Sequence, residues 1–258
     1  MTSRSASRHL LAICCAIACA IPASAQPRSG ERTNFTDAEI VDGFLATTIG
    51  AELQVAGRTD RIRKYDTPVR VYIDSSRGRP DRRRTTQRVV ADIAKRVRNI
   101  DLAVTTKREE ANVVVTLVKA REFYPTLTRF FGRDRAQQIR RDLDPQCLSG
   151  FRKGDDYRIL GSTVVLMTDV SDFVFADCAY EELLQALGPI NDTDKVPWTM
   201  FNDDVQKGYF DVYDQLLLNV LYDPRIKPGM TADEVQQVLP QILPDVRAFV
   251  AERNRLKP

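Results

Sequence analysis

The sequence predicts an α+β domain, a small mixed sheet with a long helix on each side, followed by a C-terminal helical extension. Two short apolar runs rich in β-branched residues, 111–118 (ANVVVTLV) and 162–167 (STVVLM), have the length and composition of strands. Between and around them, apolar residues recur at the three- and four-residue spacing of amphipathic helices. No internal repeat or low-complexity stretch suggests a solenoid or a fibrous chain.

Residues 26–32 are polar and read as a tether. Thr36-Asp37-Ala38-Glu39 is a capping box and opens a helix running to about residue 53, with Ile40, Val41, Phe44 and Leu45 at helical spacing. Residues 69–73 (VRVYI) alternate as a half-buried strand does. A basic turn at 75–84 leads into an amphipathic helix over 86–100, with Val89, Val90, Ile93 and Val97 on one face. The run at 111–118 is expected to be a central strand, 128–143 a helix and 162–167 another strand, which passes through 169–177 into a helix over 178–188. Residues 209–221 are expected to be helical. Thr231-Ala232-Asp233-Glu234 caps a final helical region, which Pro240 and Pro244 are expected to break.

The first residues read as a secretory signal peptide over 1–25. Arg4 and Arg8 form a positive start, 10–21 an apolar run, and Ala23-Ser24-Ala25 a small-residue cleavage site. A lipobox-like Ala16-Ile17-Ala18-Cys19 is the competing lipoprotein reading. The apolar run is shorter than the roughly 20 residues a spanning helix needs, and no later segment approaches that length, so no transmembrane segment is expected. Cleavage would remove His9, the only histidine, together with Cys14, Cys15 and Cys19. Cys147 and Cys178 would remain, an even pair whose simplest fate in an oxidising periplasm or extracellular space is a disulfide.

Charge is unevenly distributed. Residues 58–158 hold 26 Lys+Arg against 14 Asp+Glu, whereas 159–223 hold Lys195 and Lys207 against 12 acids. The clusters Arg77/Arg79/Arg82/Arg83/Arg84 and Arg129/Arg133/Arg135/Arg140/Arg141 read either as solvated faces or as sites for phosphate, anionic lipid or acidic glycan. Nucleic acid is not an expected partner of an exported chain.

Residues 181–201 (EELLQALGPINDTDKVPWTMF) follow the frame HExxHxxGxxH plus a Met-turn. On these residues, and on the order of strands and helices before them, the stretch 66–223 resembles the matrixin-like metzincins, secreted zinc endopeptidases with a zincin fold. Cys178, EExxQALG, FNDD and LYDPRIKPGM are more similar still to a family of uncharacterised exported bacterial proteins known as a domain of unknown function. The metzincin resemblance implies a matrixin-like domain over 66–223, flanked by an N-terminal tether and helix at 26–65 and a C-terminal helical extension at 224–258.

In that frame Glu181, Gln185 and Asn191 occupy the three zinc-ligand positions, Glu182 the general base, Gly188 the turn and Met200 the floor. One carboxylate and two neutral amides make a poor zinc site, so no metal is expected and Glu182 is left vestigial. Two other readings of the same residues stay open. Glu181, Glu182 and Gln185 form an ordinary polar helix face with Tyr180, Leu184 and Leu187 inward, or calcium takes oxygen ligands from Asn191, Asp192, Asp194, Asn202, Asp203 and Asp204 near Glu181. The expected function is a pseudoenzyme, a module that binds a protein or an extended peptide along an edge strand formed by Ser162, Thr163, Val164, Val165, Leu166 and Met167. The alternative is an active hydrolase that uses Glu182 with an atypical metal or none.

Overall fold

The computed structural model describes residues 28, 30–49, 60–75, 79–142, 145–202 and 204–256. The signal-peptide reading, Arg77, Asp203 and the end of the first helix beyond residue 49 lie outside the described residues.

Five strands form one mostly parallel sheet: β1 (Val69–Asp74), β2 (Leu102–Thr105), β3 (Val113–Val118), β4 (Cys147–Lys153) and β5 (Ile159–Met167), in the order β2-β1-β3-β5-β4. Four strands run parallel and β4 is antiparallel to β5. Seven helices surround them among the described residues: α1 (Asp37–Thr48), α2 (Pro80–Arg96), α3 (Ala120–Phe131), α4 (Arg133–Asp142), α5 (Asp172–Gln185), α6 (Val212–Leu221) and α7 (Ala232–Asn254).

The period-2 alternation of the strands distributes side chains between two cores. Val69, Val71, Ile73, Val113, Val115, Leu117, Val164 and Leu166 enter the main core, which Val89, Val90 and Ile93 of α2 and Ala179, Leu183 and Leu184 of α5 complete. Val118 and Val165 point the other way, under Phe123, Leu127, Ala136 and Ile139 of α3 and α4. β3 and β5 are therefore covered on both faces, which is why their sequences read as continuous apolar runs. Ile40 and Phe44 of α1 and Val235, Leu239 and Val246 of α7 belong to the main core, so both flanking segments are built into it.

Several expectations are corrected. β5 is no edge: residues 162–167 pair with β3 on one side and β4 on the other. The edge strand is β4, whose CLSGFRK lacks the β-branched residues that announce a strand. The helix expected at 128–143 is two helices, divided at Gly132, whose φ of +84° ends α3. α2 begins at Pro80, so Arg82, Arg83 and Arg84 lie on a helix and not in a turn; proline at the first position is compatible with a helix start. α7 runs unbroken through Pro240 and Pro244. Both prolines are exposed, while Leu239, Ile242, Leu243 and Val246 are buried. Packing of the apolar stripe outweighs the local cost of roughly 3 kcal/mol per proline.

Candidate functional site

α5 starts at Ser171, whose hydroxyl accepts from the Val174 N–H, and ends beside the sheet. Its middle is fixed to β4 by a Cys147–Cys178 disulfide with Cα atoms 5.9 Å apart, in agreement with the expected pairing. Its end is fixed to β5, where the Ser162 hydroxyl donates to the Ala186 carbonyl at 2.8 Å and meets the Tyr65 hydroxyl at 2.7 Å. Ser162 is thus a tie between sheet and helix.

Past α5 the chain turns at Gly188, which has φ +140°. A Cβ there would stand 2.5 Å from the Arg63 carbonyl oxygen and 2.9 Å from a Leu221 methyl, so the backbone conformation and the space both require glycine. The Tyr222 hydroxyl, donating to the Leu187 carbonyl at 2.8 Å, holds the same turn.

The three ligand-frame positions have different partners. Gln185 is buried, accepts from the Ser149 hydroxyl of β4 at 3.1 Å and donates to Asp192 at 2.7 Å. Asn191 turns to α1, its amide donating to the Ala46 carbonyl at 2.6 Å and its backbone N–H to the Thr47 carbonyl at 3.1 Å. Asp192, not Asn191, is the residue that reaches Gln185. Glu181 is partly exposed and Glu182 is buried. Among the described residues, no group of three or more His, Cys, Asp or Glu side chains is placed to hold a metal ion.

Met200 is buried, and its N–H donates to Asp214 at 3.1 Å, beside Thr199, whose hydroxyl donates to the same carboxylate at 2.6 Å. A charged cluster that sequence reasoning missed holds the segment from 196 to 211. The Lys207 ammonium bonds the Trp198 carbonyl and Asp211, and lies 4.0 Å from Asp214. The Lys207 and Gly208 N–H groups both donate to Asp177 at 2.8 Å. Burial, and then the neighbouring Asp214, push the Asp211 carboxyl up to about 8, and burial raises Asp214 as well. Burial opposes the charge on Lys207, but the two carboxylates outweigh it and raise its pKa. One ammonium thus serves two buried acids, and the folded cluster retains a proton. The available signal was Asp211-x-x-Asp214, an N-cap pattern at the start of α6, with Asp211 accepting from the Asp214 N–H at 2.9 Å.

β4 offers a second surface. The Met167 N–H donates to the Gln146 carbonyl at 3.2 Å, which sets the alternation of the β4–β5 ladder. Residues 148, 150 and 152 exchange hydrogen bonds with β5, and the backbone groups of Cys147, Ser149 and Phe151 point outward. Among the described residues, no strand pairs with that outer edge.

No helix among the described residues is long and apolar enough to cross a membrane. A family model described as a protein of unknown function (DUF2927) matches residues 37–241. No curated protein and no solved structure matches the chain.

Proposed function

The chain belongs to the DUF2927 family, and we propose that it is an exported binding module that receives an extended segment of a partner protein along β4. The supporting observation is the open outer edge of β4, where Cys147, Ser149 and Phe151 direct backbone donors and acceptors away from β5. Strand addition at such an edge takes its affinity from main-chain hydrogen bonds and its selectivity from alternate side chains. An unpaired edge is a liability that proteins cover, charge or use. Disulfide attachment of Cys147 to α5 stiffens the receiving strand, and a disulfide suits an oxidising compartment outside the cytoplasm.

In this reading α5 is a support for the edge. Gln185 secures β4 through Ser149, and Glu182 is a vestige of the resemblance to metzincins with no step assigned to it. The test is Ser149→Pro beside Ser149→Ala. Proline removes an outward N–H and leaves the ladder with β5 intact, while alanine removes only the hydroxyl bond to Gln185. Peptides selected on the parent protein from a random library should lose at least tenfold in affinity with Ser149→Pro and about twofold or less with Ser149→Ala. Equal binding by all three proteins, with the fold confirmed by circular dichroism, would remove β4 as the receiving edge.

A further inference from the structure

α2 and α5 lean together over the main core, and on their outer side they border a solvent-open cavity of about 670 Å³. Its α2 wall carries Arg84, Thr85, Gln87 and Arg88, and its floor is opened by two small residues, Ala91 of α2 and Ala176 of α5. Arg82 closes the inner end. It is buried, lies over the Phe175 ring with its guanidinium carbon 4.6 Å from the centroid, and donates to the Thr168 carbonyl at 3.2 Å and the Val170 carbonyl at 2.7 Å.

The charges around this cavity do not cancel. Asp172 is committed to Arg82 at 2.9 Å and Asp81 to Arg79 at 2.9 Å. Burial opposes the charge on Asp81, but a hydrogen bond from its own backbone and then the Arg79 guanidinium hold its carboxyl below the ordinary range. Arg84 and Arg88 are exposed and have no ion-pair partner among the described residues, where Arg88 donates to the Thr85 hydroxyl at 3.0 Å. Two unneutralised guanidinium groups therefore stand one helical turn apart, about 6 Å along the axis, on one wall of a cavity.

We propose that this cavity binds a small molecule carrying a phosphate group, with Arg84 and Arg88 gripping the phosphate from two sides. A guanidinium fork matches carboxylate and phosphate oxygens alike, but two guanidinium groups present two positive charges, which a dianionic phosphate with three free oxygens balances and a monovalent carboxylate does not. The Gln87 amide adds a donor beside them, while the Thr85 hydroxyl donates to the Asp81 carbonyl at 3.2 Å. The volume accommodates a phosphorylated molecule of sugar size and is larger than a bare ion needs. A long polyanion fits less well, because the row of arginines is interrupted at Ala91, and Asp81 and Asp172 border the cavity. The inference does not rest on the β4 edge, since none of the residues lining the cavity belongs to β4.

The experiment is calorimetric titration of the purified full chain at constant ionic strength with a hexose phosphate, the same hexose without phosphate, inorganic phosphate and vesicles containing anionic phospholipid. Saturable binding of the hexose phosphate is expected, at least tenfold tighter than inorganic phosphate, with none of the plain hexose. Arg84→Gln combined with Arg88→Gln should abolish it. The pair Arg83→Gln and Arg129→Gln, a control of equal charge loss outside the cavity, should leave it unchanged. Binding that falls equally in the control is general electrostatics and overturns the proposal. Binding to vesicles alone assigns the arginines to a membrane surface, and no binding of any phosphate probe removes the site altogether.

Discussion

Two residues show how strongly single positions constrain this chain. Gly188 has no room for a methyl group, since Arg63 and Leu221 already occupy the place of a Cβ. Gly188→Ala is expected to cost roughly 2–4 kcal/mol, as overpacking added to backbone strain, and the urea midpoint measures it. Asp211 acts through protons. Its ordinary pKa of 3.8 becomes about 8 in the fold, so the folded state binds a proton that the unfolded chain has released. The stability it contributes is fully present below the unfolded value and is lost as pH rises toward the folded one. Unfolding free energy should therefore fall between about pH 5 and pH 8, by an amount on the order of 1–3 kcal/mol. Asp211→Asn keeps an acceptor for the Asp214 N–H and should flatten that slope, which urea titrations across the same pH range will read.

At the scale of elements, the strands buried on both faces were legible and the half-buried ones were not. β3 and the residues 162–167 of β5 stand out because both faces are covered, so every position except Ser162 is apolar or β-branched. β2 has four residues, all half-buried, and β4 mixes Cys147, Ser149, Gly150 and Arg152, so neither shows a period. Missing β4 moved the expected open edge inward to β5, since an edge can be recognised only when the last strand is known. The capping boxes at Thr36 and Thr231 were legible because they are local. The fate of Asn191 was not, because its partner, Ala46, is 145 residues away. The disulfide is an element-scale restraint with its own prediction. It closes a loop of 31 residues, and replacing both cysteines with serine should lower stability by roughly 3–4 kcal/mol, measured by thermal unfolding under non-reducing conditions.

On the scale of the whole molecule, the segments before and after the sheet are part of its architecture. Arg247 of α7 donates to the Phe35 carbonyl and to Asp37, both at 2.6 Å, and Tyr213 of α6 donates to the Glu39 carbonyl at 2.5 Å. α1 and α7 thus close over α6. Removal of residues 232–258 is expected to expose Ile40, Phe44 and the apolar face of α6, and to yield a protein that binds a hydrophobic dye and has lost cooperative unfolding.

The cysteine bridge also determines how copies of this chain can associate. Between its two ends lie all of β4, the following turn, all of β5 and the first half of α5, so the oxidised chain contains a closed ring threaded through the edge of the sheet. An edge strand on an open chain can leave its place and be replaced by the same strand of a second molecule, which is the route to domain-swapped dimers and runaway polymers. β4 cannot make that exchange alone, because it can leave only if β5 and α5 leave with it. In the proposed binding mode a visiting strand joins the sheet as a sixth member and leaves the fifth in place.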